Sequence, residues 1–352
     1  MNDSLRAGAV LGGVLALFLV VQFGALALLE PFETAGLQST EDPQNPLNSV
    51  LYVAVLLVAT AGILLVIKYD QQWILRAFVL FTSGFIASYV FAVVFPPVLV
   101  SGVNLAAYAP AAALVAALYF HPEWYVVDAA GAILGMGAAA LFGISFGVLP
   151  ALVLLTVLAV YDAISVYGTE HMLTLASGVM ELRLPIVLVV PATAGYSFLE
   201  DTRAVGEESA NDGAVGETDD GTLAEADDGA VGETDDETHA SGDGESETAA
   251  APAPSDREAY FIGLGDAVMP TILVASASFF LDTPEVFGVE LAALTAIAGT
   301  LVGLLVLMRL VFRGRPHAGL PLLNGGAIAG YLVGALAAGV PLVEALGVAP
   351  YV

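Results

Sequence analysis

The amino-acid sequence predicts an all-α polytopic membrane protein with nine transmembrane helices and a disordered acidic loop between helices 6 and 7. Of its 352 residues, 58% are hydrophobic and only 13% are charged, and the mean hydropathy is +0.83. A water-soluble domain of this size does not have such a composition. Repeated apolar segments of about 20 residues match the roughly 30 Å hydrocarbon core of a bilayer.

Nine apolar segments support this prediction, and each is about as long as a helix that crosses the bilayer. They cover residues 8–29, 49–67, 74–95, 99–120, 125–148, 150–168, 260–281, 288–311 and 320–340. The first segment is too long for a signal-peptide core and lacks a convincing small-residue cleavage site, so we expect it to remain as a span. The chain has no cysteine, which excludes disulfide bonds and thiolate metal sites.

The net charge of −27 is concentrated in the segment that follows the sixth span. Residues 200–258 contain 20 acidic and two basic residues, so this segment alone carries a charge of −18. The stretch DGAVGETDD occurs in it twice, and large apolar side chains are scarce. Because little apolar surface is present to offset the entropy of ordering, we predict a disordered tether; an acidic interaction tail is the alternative.

The positions of the basic residues predict the orientation of the chain in the membrane. With nine spans, all nine Lys and Arg residues fall on one side of the bilayer, which places the N-terminus in the cytoplasm and the C-terminus outside. They are Arg6, Lys68, Arg76, Arg183, Arg203, Arg257, Arg309, Arg313 and Arg315. A tenth span at 184–199 would move five of them outside. This segment is also short and contains two prolines, so we predict that it does not cross the membrane.

The chain therefore divides into four predicted parts. These are spans 1 to 6 in 1–168, an interfacial segment in 169–199, the acidic loop in 200–258, and spans 7 to 9 in 259–352. In the interfacial segment, apolar residues at helical spacing from Met172 to Leu182 predict an amphipathic helix. The β-branched stretch PIVLVVP that follows could be extended.

Two aspartates lie inside adjacent spans at the same predicted depth. Asp162 is about six residues from the cytoplasmic end of span 6, and Asp266 is about six residues into span 7. At 1.5 Å per residue, both lie roughly 9 Å below the membrane boundary. No Lys or Arg is available at that level to neutralise them. Since an intramembrane acid normally faces the bundle interior and marks a site, these two residues are candidate functional groups.

The chemistry of such a pair follows from its surroundings. Two carboxylates that are close together in a medium of low dielectric constant cannot both ionise readily, so they share a proton. This is the electrostatic arrangement of an aspartic protease, in which one carboxylate acts as a base toward water and the other as an acid toward a carbonyl oxygen. The structural alternative is a protonated carboxyl group that is hydrogen-bonded to neighbouring backbone.

The residues around both aspartates resemble the presenilin and signal-peptide-peptidase family of intramembrane aspartyl proteases, most closely its archaeal presenilin-like members. The resemblance is carried by Tyr161-Asp162 in span 6 and by Gly263-Leu264-Gly265-Asp266 in span 7. The family also has a Pro-Ala-Leu-Pro stretch at the start of span 9. The corresponding residues here are Ala318, Gly319, Leu320 and Pro321, of which only the last two match; a register shifted to 321–323 is the alternative.

The resemblance implies a nine-helix fold and the hydrolysis of peptide bonds within transmembrane helices, without a metal or other cofactor. It implies that Asp162 and Asp266 are catalytic. It further implies a substrate-binding role for a set of neighbouring residues: Tyr161, Gly263, Leu264, Gly265, Leu320 and Pro321. The residues of PIVLVVP and those before Gly263 are expected to pair as strands with a bound substrate. The implied partners are transmembrane protein or peptide substrates in the lipid bilayer and not nucleic acid; a homo-oligomer is left open.

A proton-coupled transporter or ion-leak channel is the alternative function, since paired intramembrane acids can also relay protons. Many transporters contain inverted repeats with interrupted helices, and no such internal symmetry is present in this sequence. Two other polar residues are weaker candidates for a functional role. Asp128 is explained by its place at the start of span 5, and Asn324 is either a local cap or a polar neighbour of the site.

Overall fold

A computed structural model describes residues 3–40, 42–69, 71–168, 187–192, 196–197, 259–312 and 318–349 of the chain. Its helices follow the predicted apolar segments in order. They are α1 (Asp3–Thr34), α2 (Leu47–Lys68), α3 (Gln72–Val94), α4 (Leu105–Phe120), α5 (Trp124–Ser145), α6 (Val148–Gly168), α7 (Leu264–Phe280), α8 (Leu291–Val311), α9 (Gly319–Ala337) and the short α10 (Leu342–Ala345). The predicted interfacial helix and acidic loop lie outside the described residues.

Within the described ranges, seven helices are long and apolar enough to cross a membrane: α1, α2, α3, α5, α6, α8 and α9. The remaining two of the predicted spans form shorter apolar helices, α4 with 16 residues and α7 with 17 residues. The structure is therefore that of a helical polytopic membrane protein. The total of nine crossings remains a prediction.

Three predicted spans begin later than expected because their first residues are extended. The hairpin of β1 (Leu99–Val100) and β2 (Val103–Asn104) precedes α4, and the hairpin of β5 (Glu285–Val286) and β6 (Val289–Glu290) precedes α8. Both turns consist of a residue at positive φ followed by glycine: Ser101-Gly102 at 54° and 84°, and Phe287-Gly288 at 55° and 78°. This is the combination that two-residue hairpins require.

The third extended segment is β4 (Ala259–Gly263), which leads directly into α7. It pairs with β3 (Val187–Pro191) in an antiparallel two-stranded sheet, in register from Val187 opposite Gly263 to Pro191 opposite Ala259. The side chains of Leu188 and Val189 are buried, and a methyl group on Gly131 of α5 would lie 2.9 Å from Leu188. The sheet therefore packs against α5 at the end of the bundle where α7 begins.

Glycines bring several helices of the bundle into close contact, because they carry no side chain at the crossing. A methyl group on Gly299 of α8 would overlap the Gly326 carbonyl oxygen of α9, and one on Gly326 would overlap the Gly299 carbonyl oxygen. Likewise, a methyl group on Gly143 of α5 would overlap Ala275 of α7. As a result the backbones of α8 and α9 touch directly, whereas α7 and α5 are separated only by the methyl group of Ala275.

Candidate active site

Asp162 lies on α6 and contacts the first residues of α9. Its Oδ2 atom accepts a hydrogen bond of 3.1 Å from the backbone N–H of Leu320, and the N–H of Gly319 also donates to this carboxylate. The first N–H groups of a helix have no partner inside the helix and carry a partial positive charge. A carboxylate from another helix is therefore a natural partner for the start of α9.

Asp266 lies in the first turn of α7, immediately after the strand β4. It is close enough to Asp162 for the two charges to interact. A methyl group built on Gly319 would lie 3.2 Å from Oδ2 of Asp266 and 3.4 Å from its Oδ1. The two carboxyl groups, which are 104 positions apart in the chain, thus meet at one backbone segment, Gly319-Leu320.

Two glycines beside Asp266, Gly263 and Gly265, leave room next to the pair. A methyl group on Gly263 would lie 3.5 Å from Asp266 Oδ2, and one on Gly265 would have no neighbour within 4 Å. Both glycines are exposed, whereas the two aspartates are half-buried. The carboxyl groups therefore lie in a cleft that is open on the glycine side.

The remaining residues predicted for the site are neighbours of the aspartates in the chain or belong to the first turn of α9. The side chain of Tyr161 is 51% exposed beside Asp162. Leu264 packs toward α5, with its Cδ1 atom 3.3 Å from the place where a methyl group on Gly135 would lie. Leu320 and Pro321 are both half-buried in the first turn of α9. Proline is tolerated there because the N–H groups of a first turn have no hydrogen-bond partner inside the helix.

Two polar residues outside the predicted set support the elements of the site. Asp128 of α5 is only 8% exposed and accepts a 2.7 Å hydrogen bond from the Val189 N–H of β3. Asn324 of α9 is fully buried and donates from Nδ2 to the Leu155 carbonyl oxygen of α6 at 3.0 Å. Asp128 thus attaches the sheet to the bundle, and Asn324 attaches α9 to α6 one turn beyond the carboxylates.

Gly319 was also missed as a site residue, although it contacts both aspartates. One feature of the sequence indicates Gly319 as a site residue: it directly precedes Leu320 and Pro321, the two residues that match the family's Pro-Ala-Leu-Pro stretch. For Asp128 the signal was the rule that led to Asp162 and Asp266, namely that a carboxylate inside an apolar span has a partner. Its place at a helix start offered a simpler explanation, which the contact with Val189 shows to be incomplete.

The fold and the cleft together define a class of protein, namely polytopic helical proteins with two neighbouring intramembrane carboxyl groups. Comparisons with known proteins then give the family. A sequence profile described as signal-peptide peptidase, presenilin aspartyl protease, matches residues 15–340. No match is found among proteins with curated descriptions. The chain belongs to the signal-peptide peptidase and presenilin family of aspartyl proteases.

Solved structures of a presenilin family intramembrane aspartate protease are similar to this chain. The structure in space group C222 has 30% sequence identity and a TM-score of 0.60, and the match covers 93% of this chain and 99% of that one. The structure in space group P2 has 32% identity and a TM-score of 0.57, with 93% and 97% covered. The protein is accordingly a multi-pass membrane enzyme, an aspartic endopeptidase that acts on transmembrane proteins within the bilayer.

Proposed function

We propose that Asp162 and Asp266 form the catalytic pair that hydrolyses peptide bonds within the transmembrane segments of substrate proteins. The contact of both carboxyl groups with Gly319-Leu320 carries this proposal. It brings two acids from different helices to one point in a bundle where no Lys or Arg contacts them among the residues described. Nothing in the comparisons favours the transporter or channel alternative.

The pair performs the reaction by sharing one proton. The ionised carboxylate takes a proton from water, and the oxygen of that water attacks the carbonyl carbon of the peptide bond. The protonated carboxyl group donates its proton to the carbonyl oxygen, which gives a neutral tetrahedral diol. The carboxyl group that took the proton from water then gives it to the amide nitrogen, while the other carboxylate accepts a proton from one hydroxyl of the diol. The C–N bond breaks, a carboxyl product and an amine product leave, and the pair again shares one proton.

Substrate binding follows from the open side of the cleft. Gly263 and Gly265 carry no side chains there, so an extended backbone can approach Asp266 closely. Tyr161, Leu320 and Pro321 border the same cleft and position the substrate, while Leu264 holds the start of α7 on α5. Because hydrolysis requires an unwound backbone, the substrate adopts a strand beside the β3–β4 sheet. In the structure β3 and β4 pair with each other, and the bound substrate adds a further strand to that sheet.

The proposed topology places this cleft near the cytoplasmic end of the helices, with the N-terminus in the cytoplasm and the C-terminus outside. In that arrangement 1–168 and 259–352 form the helical bundle and each contributes one aspartate. The interfacial segment 169–199 and the acidic loop 200–258 connect them on the cytoplasmic side.

A reconstituted cleavage assay tests the proposed function. The full chain is placed in liposomes with a labelled single-span peptide, products are identified by mass spectrometry, and proton flux is followed in parallel. We expect two fragments whose new ends lie inside the apolar segment of the peptide. Proton flux without cleavage of any of several peptides would instead support the transporter.

Asp128 is a positioning residue for this reaction, because it fixes the strand that pairs with β4. We expect Asp128→Leu to lower kcat/KM about tenfold, since the buried Val189 N–H loses its acceptor at a cost of about 1–3 kcal/mol. Asp128→Asn keeps an acceptor oxygen and is expected to restore activity to about the wild-type level. Equal losses in both variants would show that the hydrogen bond does not position the sheet.

A further inference from the structure

A groove of about 660 Å³ runs along the outer surface of the bundle between α3 and α4. Its floor consists of small residues, Gly84 of α3 and Ala112 and Ala116 of α4. A methyl group on Gly84 would lie 3.0 Å from Val115, so the two helices touch at this point. Aromatic rings line its sides. They belong to Phe81, Phe85, Tyr108, Tyr119 and Phe120, with between 52% and 79% of each residue exposed.

A single arginine lies at one end of this groove. The guanidinium carbon of Arg76 is 5.2 Å from the centre of the Tyr119 ring, and an Nη atom donates to the Tyr119 carbonyl oxygen at 3.4 Å. Within the described ranges no carboxylate contacts Arg76. Among the described residues its partners are the carbonyl oxygen and the ring of Tyr119, so other N–H groups of the guanidinium are available for an anionic ligand.

The neighbouring Trp73 indicates how deep Arg76 lies in the membrane. It lies three residues earlier on the same helix, so both side chains share one face. Trp73 is 68% exposed and stands at the start of α3, where tryptophan marks the level of the lipid headgroups. The groove begins one turn further along the helix, at Leu80. Along α4, from Tyr119 to Tyr108, it reaches about 16 Å into the hydrocarbon region.

We propose that this groove binds an anionic phospholipid, with its phosphate on Arg76 and one acyl chain on the small-residue floor. The lining is almost entirely apolar and the cation stands only at the headgroup end, which is the charge distribution of a phospholipid. A helix of about 10 Å diameter needs a broad face, whereas rings from both helices project on either side of this groove, an arrangement that suits a single acyl chain. The site lies on α3 and α4, and neither helix carries a proposed catalytic residue.

Fluorescence quenching by brominated lipids tests the proposal. The chain has two tryptophans, so Trp124→Phe leaves Trp73 as the only reporter, next to Arg76. This variant is reconstituted in bilayers of phosphatidylcholine that contain a small fraction of brominated phosphatidylglycerol or brominated phosphatidylcholine. We expect brominated phosphatidylglycerol to occupy the site about fivefold more strongly, as one arginine beside an anionic headgroup implies.

Three further variants, each made in the same background, separate this site from general surface charge. Arg76→Gln is expected to abolish the preference for phosphatidylglycerol. Arg309→Gln, which removes an exposed cation from the last turn of α8, should leave it intact. Ala112→Phe fills the floor and should reduce quenching by both lipids. Equal quenching by the two lipids in the parent protein, or a preference that survives Arg76→Gln or disappears in Arg309→Gln, would overturn the proposal.

Discussion

Replacing either Asp162 or Asp266 by asparagine is expected to reduce cleavage of the labelled peptide by about 10²- to 10⁴-fold. Each asparagine keeps the size of the side chain but cannot exchange a proton with water or with the carbonyl oxygen, and acid–base catalysis contributes about this much. The two single variants and the double variant should have similar residual rates, because residues that act as a unit are not additive. Initial rates in liposomes measure the effect.

Asp128→Asn provides a matched control for these two variants, since it makes the same chemical change at another buried carboxylate inside the bundle. It should cleave the peptide at about the wild-type rate. Thermal unfolding in detergent should give the same midpoint for all three proteins within a few degrees. If Asp162→Asn or Asp266→Asn kept more than about a tenth of the activity while folded, the proposed division of acid and base roles would be wrong.

Gly319→Val is expected to lower the cleavage rate about a hundredfold with the fold retained. The first side-chain carbon at this position would already lie 3.2 Å from Asp266 Oδ2, so the two further methyl groups of valine must displace a carboxyl group. A displacement of about 1 Å at a reacting group costs about a factor of 100. Single-turnover cleavage rates, which report the chemical step, measure the effect.

Gly319→Ala and Gly325→Val complete this test. Alanine is the residue that the resemblance places at this position, and it requires a shift of only a few tenths of an ångström, so we expect it to be active. Gly325 lies on the same helix, and its exposed face has no neighbour within 4 Å of an added methyl group. Valine there should have little effect. A Gly319→Val enzyme as fast as Gly325→Val would remove Gly319 from the site.

The helices of this fold could be predicted from sequence because the bilayer imposes length and apolarity on each one separately. The beginnings of three helices could not be predicted in this way. Residues 99–104, 259–263 and 285–290 each contain three large apolar side chains, and apolar content alone does not distinguish a strand from the first turns of a helix. Their turn residues, Ser101-Gly102 and Phe287-Gly288, were the local signal for two of them.

The same distinction applies to the site. Asp162 and Asp266 could be found because a charge inside an apolar span is costly wherever the other helices lie. Gly319 and Asp128 could not be assigned a function, since their contacts arise only when α9 meets α6 and when β3 packs on α5. Contacts between distant segments of the chain depend on packing, which the pattern of a single segment does not contain.

The shortness of α7 has a consequence for the membrane around the enzyme. With 17 residues, α7 rises about 26 Å, which is less than the roughly 30 Å of an average hydrocarbon core. A bilayer adapts to such hydrophobic mismatch by becoming thinner locally, at a modest cost for each ångström. Because Asp266 lies in the first turn of this helix, thinning brings the water boundary toward the carboxyl groups. In the proposed topology, membrane thickness is thereby part of the environment that supplies water to this cleft, and we expect lipids with longer chains to hold that water further away.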